Sequence, residues 1–225
     1  MRGMKLPTIG LVVLLAVATT VASAIPTPTF ASAPPSSNAD AIVAALATRL
    51  AAISTYKADI IIRVKMKSFP FFGASFYGTT TYKRPGEFTA NFKQSSLAHG
   101  YATALADMGD PAVWKQSYNV AIDGGRSSDA GTLALRLVPK TPRDVDHTVA
   151  VVDVPTMTVR RITWYYTNGG TIDMHENYAP VAGILMPAHQ DIDISLPTER
   201  VRAQADLSHY ALNADLSSAD LSSAK

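Results

Sequence analysis

"KADIIIRVKMK", residues 57–67, decides the fold class. Ala58, Ile60, Ile62, Val64 and Met66 alternate with Lys57, Asp59, Ile61, Arg63, Lys65 and Lys67. A period of two sends successive side chains to opposite faces, so this is a strand with one dry face and one wet face. Phe69-Pro70 breaks it. A second strand is predicted from about Phe72 to Lys83, with Pro85-Gly86 as the turn. A third, Glu87 to Phe92, places Phe88, Ala90 and Phe92 on one side. Strands joined by short turns form an antiparallel meander.

Upstream, the pattern is helical. Ile42, Leu46, Leu50 and Ile53 recur at helical spacing through "DAIVAALATRLAAIS", and Asn38 or Asp40 can cap that helix. Ile25 to Ser37, rich in Pro, Ser, Thr and Ala, reads as a flexible lead. Before it, Arg2 and Lys5 precede a short apolar run, Leu11 to Val17, and Ala22-Ser23-Ala24 has the form of a cleavage site. That is a secretory signal peptide. The run is shorter than the about 20 residues a membrane span needs. Ala31-Ser32-Ala33 is a second possible cut, so cleavage follows Ala24 or Ala33.

Downstream, Leu97, Ala98, Tyr101, Leu105 and Met108 fit a second helix between Ser95 and Met108, ended by Gly109, Asp110 and Pro111. Gly100 weakens it by about 1 kcal/mol relative to Ala. Strands resume near 117–122, 132–138, 148–154, 158–166, 171–177 and 188–196, and "RVRAQADLSHYALN" alternates as a last one. "ADLSS" occurs at 214–218 and again at 219–223, too little for a repeat architecture and read as a frayed end. The domain parse is therefore 1–24 signal peptide, 25–37 lead, 38–213 one domain and 214–225 tail. The fold class is α+β: a strongly curved, open antiparallel sheet of about nine to eleven strands, with two or three helices covering its concave face.

Composition narrows the function classes. Among 225 residues there is no cysteine, hence neither a disulfide nor a lipid-anchoring thiol. Loss of Arg2 and Lys5 with the signal lowers Lys+Arg from 20 to 18, equal to Asp+Glu. A formally neutral exported chain is not a nucleic-acid binder, which needs a clustered basic face. His99, His147, His175, His189 and His209 lie far apart without zinc-ligand spacing, so no metal or other cofactor is expected. Asp191 and Asp193 share a strand face and read as solvated, and Ser127 and Ser128 lack a nucleophile-elbow frame. No enzyme is expected.

Two stretches carry a resemblance. "LATRLAAISTYKADI" leading into "GTTTYKRPGEFTANF" resembles the opening of the outer-membrane lipoprotein carriers, the LolA family. There an amphipathic helix runs into a first strand, and a Gly-initiated strand ends in Lys-Arg-Pro and then Phe. "YNVAIDGG" with "LRLVPK", "VDVPTMTVRRITWYYTNGGTIDM" and "ADLSHYALN" are similar to the family's middle, later hairpin and final strand, so the likeness covers roughly residues 40–213. The stretch from Lys93 to Gln116 is shorter than its counterpart.

The resemblance implies a half-barrel with a helical lid over a hydrophobic cavity that takes acyl chains of lipids or lipoproteins across the periplasm. It also implies membrane receptor proteins as partners, and a monomer. A sensor or scaffold of the same fold, binding protein or lipid without transport, is the alternative. Ile60, Ile62, Val64, Phe76, Phe88, Phe92, Ile162 and Trp164 are candidates to line the cavity, although periodicity alone does not separate lining from core. Leu97, Tyr101 and Leu105 are candidate cover residues. The resemblance gives Arg84 the role of holding the lid through backbone carbonyls. The alternative is that Lys83 and Arg84 only guard a strand end against edge pairing.

Overall fold

The computed structural model describes residues 37–67, 73–92, 110–124 and 130–217. In chain order the elements are α1 (Ser37–Arg49), β1 (Thr55–Met66), β2 (Gly73–Lys83), β3 (Glu87–Phe92), α2 (Pro111–Ser117), β4 (Tyr118–Ile122), β5 (Thr132–Pro139), β6 (Val145–Asp153), β7 (Thr158–Tyr166), β8 (Thr171–Val181), β9 (Ile184–Leu196) and β10 (Glu199–Leu212). The ten strands form one antiparallel, open sheet in the order β3-β2-β1-β10-β9-β8-β7-β6-β5-β4. Two meanders are thus joined by the pairing of β1 with β10, whose register sets Ile62 opposite Ala205 and Val64 opposite Ala203.

The alternation read from residues 57–67 is the alternation of burial. Ala58, Ile60 and Ile62 are buried, while Asp59, Arg63 and Lys65 are exposed. Cross-strand partners follow suit: Val201, Ala203, Ala205 and Leu207 of β10 and Ile192 and Ile194 of β9 join Ile60 and Ile62 in one apolar cluster. Ala39, Val43 and Leu46 of α1 and Trp114 of α2 belong to the same cluster. Each of the larger aliphatic side chains among these, when fully buried, contributes about 1.5–3 kcal/mol.

The region around Pro111 corrects the sequence reading. Asp110-Pro111, read only as a stop for the helix over 95–108, starts a helix, α2, that the sequence reading did not place. The Asp110 side chain accepts a hydrogen bond from the Ala112 N–H and Pro111 occupies the first turn. Proline there loses only a donor the helix would not have used. The next strand begins at Tyr118, and Ser117 ends α2. The helix predicted over 95–108, with Leu97, Tyr101 and Leu105, lies outside the described residues, as do Ser127 and Ser128. Three strands are also longer than predicted: β6 starts at Val145, β8 runs on to Val181 and β9 starts at Ile184. The turn between the last two is Ala182-Gly183, both at positive φ (48° and 81°), the geometry that suits a two-residue hairpin.

One corner fixes the end of α1 against the sheet. The Asn213 side chain accepts from the Ser54 N–H at 2.8 Å and donates to the Ala52 carbonyl at 3.0 Å. The Arg84 N–H donates to the Ser54 carbonyl at 2.9 Å. The loop after α1 is thereby tied to the ends of β2 and β10, which sets where Arg49 and Arg84 can reach.

Candidate binding cavity

Between the helices and the apolar face of the sheet lies a cavity of about 110 Å³. Its wall is mostly apolar: Leu46, Leu50 and Ile53 from α1 and the loop after it, Trp114 from α2, and Ile60, Phe88, Ile162 and Leu207 from four strands. Pockets that hold drug-sized ligands run to about 300–1,000 Å³. In this conformation the space admits a short hydrocarbon segment; a full acyl chain requires the helices to move.

The predicted lining residues divide. Ile60, Phe88 and Ile162 stand on the cavity wall. Ile62, Phe92 and Trp164 are buried in the apolar cluster, and Val64 and Phe76 pack against it half-buried.

One part of the wall is polar, and the sequence reading did not single it out. Glu176 and Tyr178 project from β8, Gln190 from β9 and Arg49 from the last turn of α1, all lining the cavity. The Gln190 amide donates to Glu176 Oε1 at 2.6 Å. Tyr178 Oη lies 2.6 Å from Glu176 Oε2 and 3.0 Å from the Val159 carbonyl oxygen. A phenol has one proton for these two acceptors. A protonated Glu176 resolves the conflict: its own O–H donates to Tyr178 Oη, and the phenol donates to Val159. Burial drives Glu176 the same way, raising its pKa above the usual carboxyl range against the opposing pull of Tyr178, Gln190 and Arg49. Arg49 donates through Nη1 to the Leu185 carbonyl at 2.5 Å, and its guanidinium carbon sits 5.5 Å from the centre of the Tyr178 ring. Its Nε is buried without an acceptor.

A second polar junction joins the two helices. Arg84 Nη2 donates to the Ala47 carbonyl of α1 at 3.3 Å, and Arg84 Nε is 4.0 Å from Asp110 Oδ2 at the start of α2. The Tyr82 hydroxyl donates to the same carboxylate at 2.5 Å, and burial followed by that bond raises the phenol pKa. The neighbouring Lys83 approaches Glu87 at 3.9 Å on the surface. Tyr56 stacks on Tyr82 with ring centres 5.2 Å apart and continues the cavity wall.

Asp191 and Asp193 lie on the opposite face of the sheet, bonded to Gln204 and Lys67. His175 is exposed there, while its neighbour Glu176 faces the cavity. Among the described residues no group of three or more His, Cys, Asp and Glu side chains is placed to hold a metal ion, and no helix is long and apolar enough to cross a membrane.

No family profile and no curated protein sequence matches the chain. Solved structures do match its fold. A DUF1329-family protein from Desulfovibrio piger superposes with a TM-score of 0.64 at 11% identity, covering 84% of this chain and 98% of that one. A putative outer membrane lipoprotein-sorting protein domain from Vibrio parahaemolyticus gives 0.63 at 10% identity, over 82% and 96% of the two chains. A LolA-superfamily protein from Nitrosomonas europaea gives 0.60 at 11% identity, over 80% and 97%. The fold is LolA-like, as the resemblance in the sequence implied.

Proposed function

We propose that this chain is an exported binder or carrier of acyl ligands, lipids or lipoproteins, held between its two helices and a half-barrel sheet. The observation that carries the reading is the convergence of distant strands on one mostly apolar cavity. In sheet order β3 and β7 stand six positions apart. In a flat sheet that separation would be roughly 29 Å, at about 4.8 Å per strand. Phe88 and Ile162, one from each, nevertheless line the same small space. Such convergence favours a curved sheet with the helices in its concavity. The lipoprotein-sorting and LolA-superfamily relatives in fold support the carrier type, and the predicted signal peptide supports a periplasmic location. The role is binding rather than catalysis, by a monomer that meets membrane receptor proteins.

Arg84 is the proposed latch, since it touches the last turn of α1 and approaches the cap of α2. Opening that joint would enlarge the cavity. The test is native mass spectrometry of the full exported chain purified without detergent, followed by incubation with phospholipid vesicles. Acyl lipid that travels with the protein, or is taken up from the vesicles, is expected, and Arg84→Leu should speed its exchange. A clean unliganded mass with no uptake from vesicles would overturn the reading and turn the search towards protein partners.

A further inference from the structure

We propose that the cavity reads the head of its ligand as well as its chain: Arg49 takes the carboxylate of a fatty acid whose hydrocarbon lies along Leu46, Ile60 and Trp114. This rests on the acyl-binding reading above and adds the class of ligand.

The first argument is the state of the guanidinium. It offers five donors in a planar fork. Among the described residues its one hydrogen bond is to the Leu185 carbonyl, and its Nε is buried with no acceptor. Buried donors in native proteins are ordinarily paired, so this guanidinium has donors to spare. Arg49 stands on the wall of a mostly apolar cavity, where the head of a ligand can meet it.

The second argument is charge. The nearby acid is Glu176, and the Tyr178 geometry favours its protonated form: with one phenol proton between Glu176 Oε2 and the Val159 carbonyl, a neutral Glu176 completes the network. A neutral Glu176 leaves the half-buried Arg49 without a counter-ion on the cavity wall. Burial lowers the Arg49 pKa accordingly. A buried charge is stable when paired. An anion at the end of an apolar chain supplies the pair, and a carboxylate matches the guanidinium fork with two parallel bonds.

The third argument is size. About 110 Å³ is less than the 150 Å³ or so of an engineered cavity that accepts benzene. The closed site therefore grips the head and the first methylenes, and the remainder of the chain follows when the helices part.

The experiment is a competition between palmitate and its methyl ester for the full chain, below the micelle concentration and read by native mass spectrometry. The two share a chain and differ in the head charge. Palmitate is expected to bind at least about tenfold more tightly than the ester, as a charge-assisted pair would give. Arg49→Met should bring the ratio to about one. Arg49→Lys, which keeps the charge and loses the fork, should fall between them and serves if the Met variant does not fold. Equal binding of acid and ester by the unaltered chain overturns the head-group site and leaves the acyl-binding reading standing. A palmitate preference unchanged in the folded Arg49 variants also overturns it. Binding of neither overturns both readings.

Discussion

The two faces of the sheet treat charge in opposite ways. On the outer face, charged side chains stand in exposed pairs. Arg63 meets Asp206, Lys67 meets Asp193 at 2.6 Å, and Arg161 holds Asp173 with two bonds of 2.7 and 2.9 Å. Water already solvates these groups, and pairing adds little. On the cavity side Asp110 is fully buried, and Glu176 and Arg49 are half-buried. There each missing partner costs the full desolvation of the group. The outer face presents these charges to solvent. The inner face stores unsatisfied hydrogen-bonding capacity beside a small cavity, and that is where a ligand can act.

The largest effect is expected where the inner face has no charge at all. Trp114 is 1% exposed and packs in the cluster that joins helices to sheet. Trp114→Ala should lower stability by about 3–5 kcal/mol, measured as a shift in the urea midpoint. A loss no greater than that of an outer-face variant would end the contrast between the faces.

Next is Tyr82→Phe, which removes the hydroxyl donated at 2.5 Å to the fully buried Asp110 carboxylate. Leaving that oxygen short of a donor should cost about 1–3 kcal/mol, read in the same denaturation series. The variant also tests whether the junction beneath Arg84 is stiff, because Asp110 caps α2 with its other oxygen.

The inner and outer carboxyl groups should also differ in the sign of their pH dependence. Glu176 has its pKa raised by burial, so its contribution to stability is complete below its ordinary value of 4.5 and is lost as pH rises through the folded value. Glu176→Gln should remove that loss with rising pH, seen as a flatter plot of unfolding midpoint against pH. A downward slope above pH 4.5 that Gln leaves unchanged would place the proton elsewhere.

Most of the sheet was legible in the sequence. Residues 57–67 carry their alternation openly because one face is packed and the other wet, and the same holds for Val201 to Leu207 against Arg200 to Asp206. The polar wall was legible in part. Ile172, Met174, Glu176 and Tyr178 follow the same period of two, which puts Glu176 on the apolar side of β8. Arg49 likewise falls three residues after Leu46 on the α1 stripe. The signal was an acid and a base on apolar faces; what the sequence lacks is the register that brings β8 opposite the end of α1. The start of α2 went unread for another reason: in a sequence Asp-Pro reads equally well as the end of one element and as the cap of the next helix. Lining and core stayed inseparable because both want the same residues, so Ile60 and Ile62, two positions apart, differ only in which of them meets empty space.

The smallest effect belongs to the outer face, and its sign sharpens the comparison. His189 Nδ1 lies 2.6 Å from Asp206 Oδ1 and His189 Nε2 lies 3.2 Å from Asp191 Oδ2, with Arg63 on the other oxygen of Asp206. The bond to His189 and then that to Arg63 hold the Asp206 pKa below its ordinary value of 3.8. The same bond, foremost, holds His189 above its ordinary 6.5. The Asp206 contribution is complete above 3.8 and is lost as pH falls through the lowered value. The His189 contribution is complete below 6.5 and is lost as pH rises through the raised value. The cluster therefore stabilises most between those two values, the reverse of Glu176 on the acid side. Asp206 is about a third exposed and Arg63 about half, so solvent screens the pair, and Asp206→Asn should cost about 0–1 kcal/mol within that window. Salt should shrink the difference further, since exposed pairs lie within reach of counter-ions. A cost as large as that of Tyr82→Phe, or one indifferent to salt, would mean the outer face is as dry as the inner one and that the cavity side holds no special store of charge.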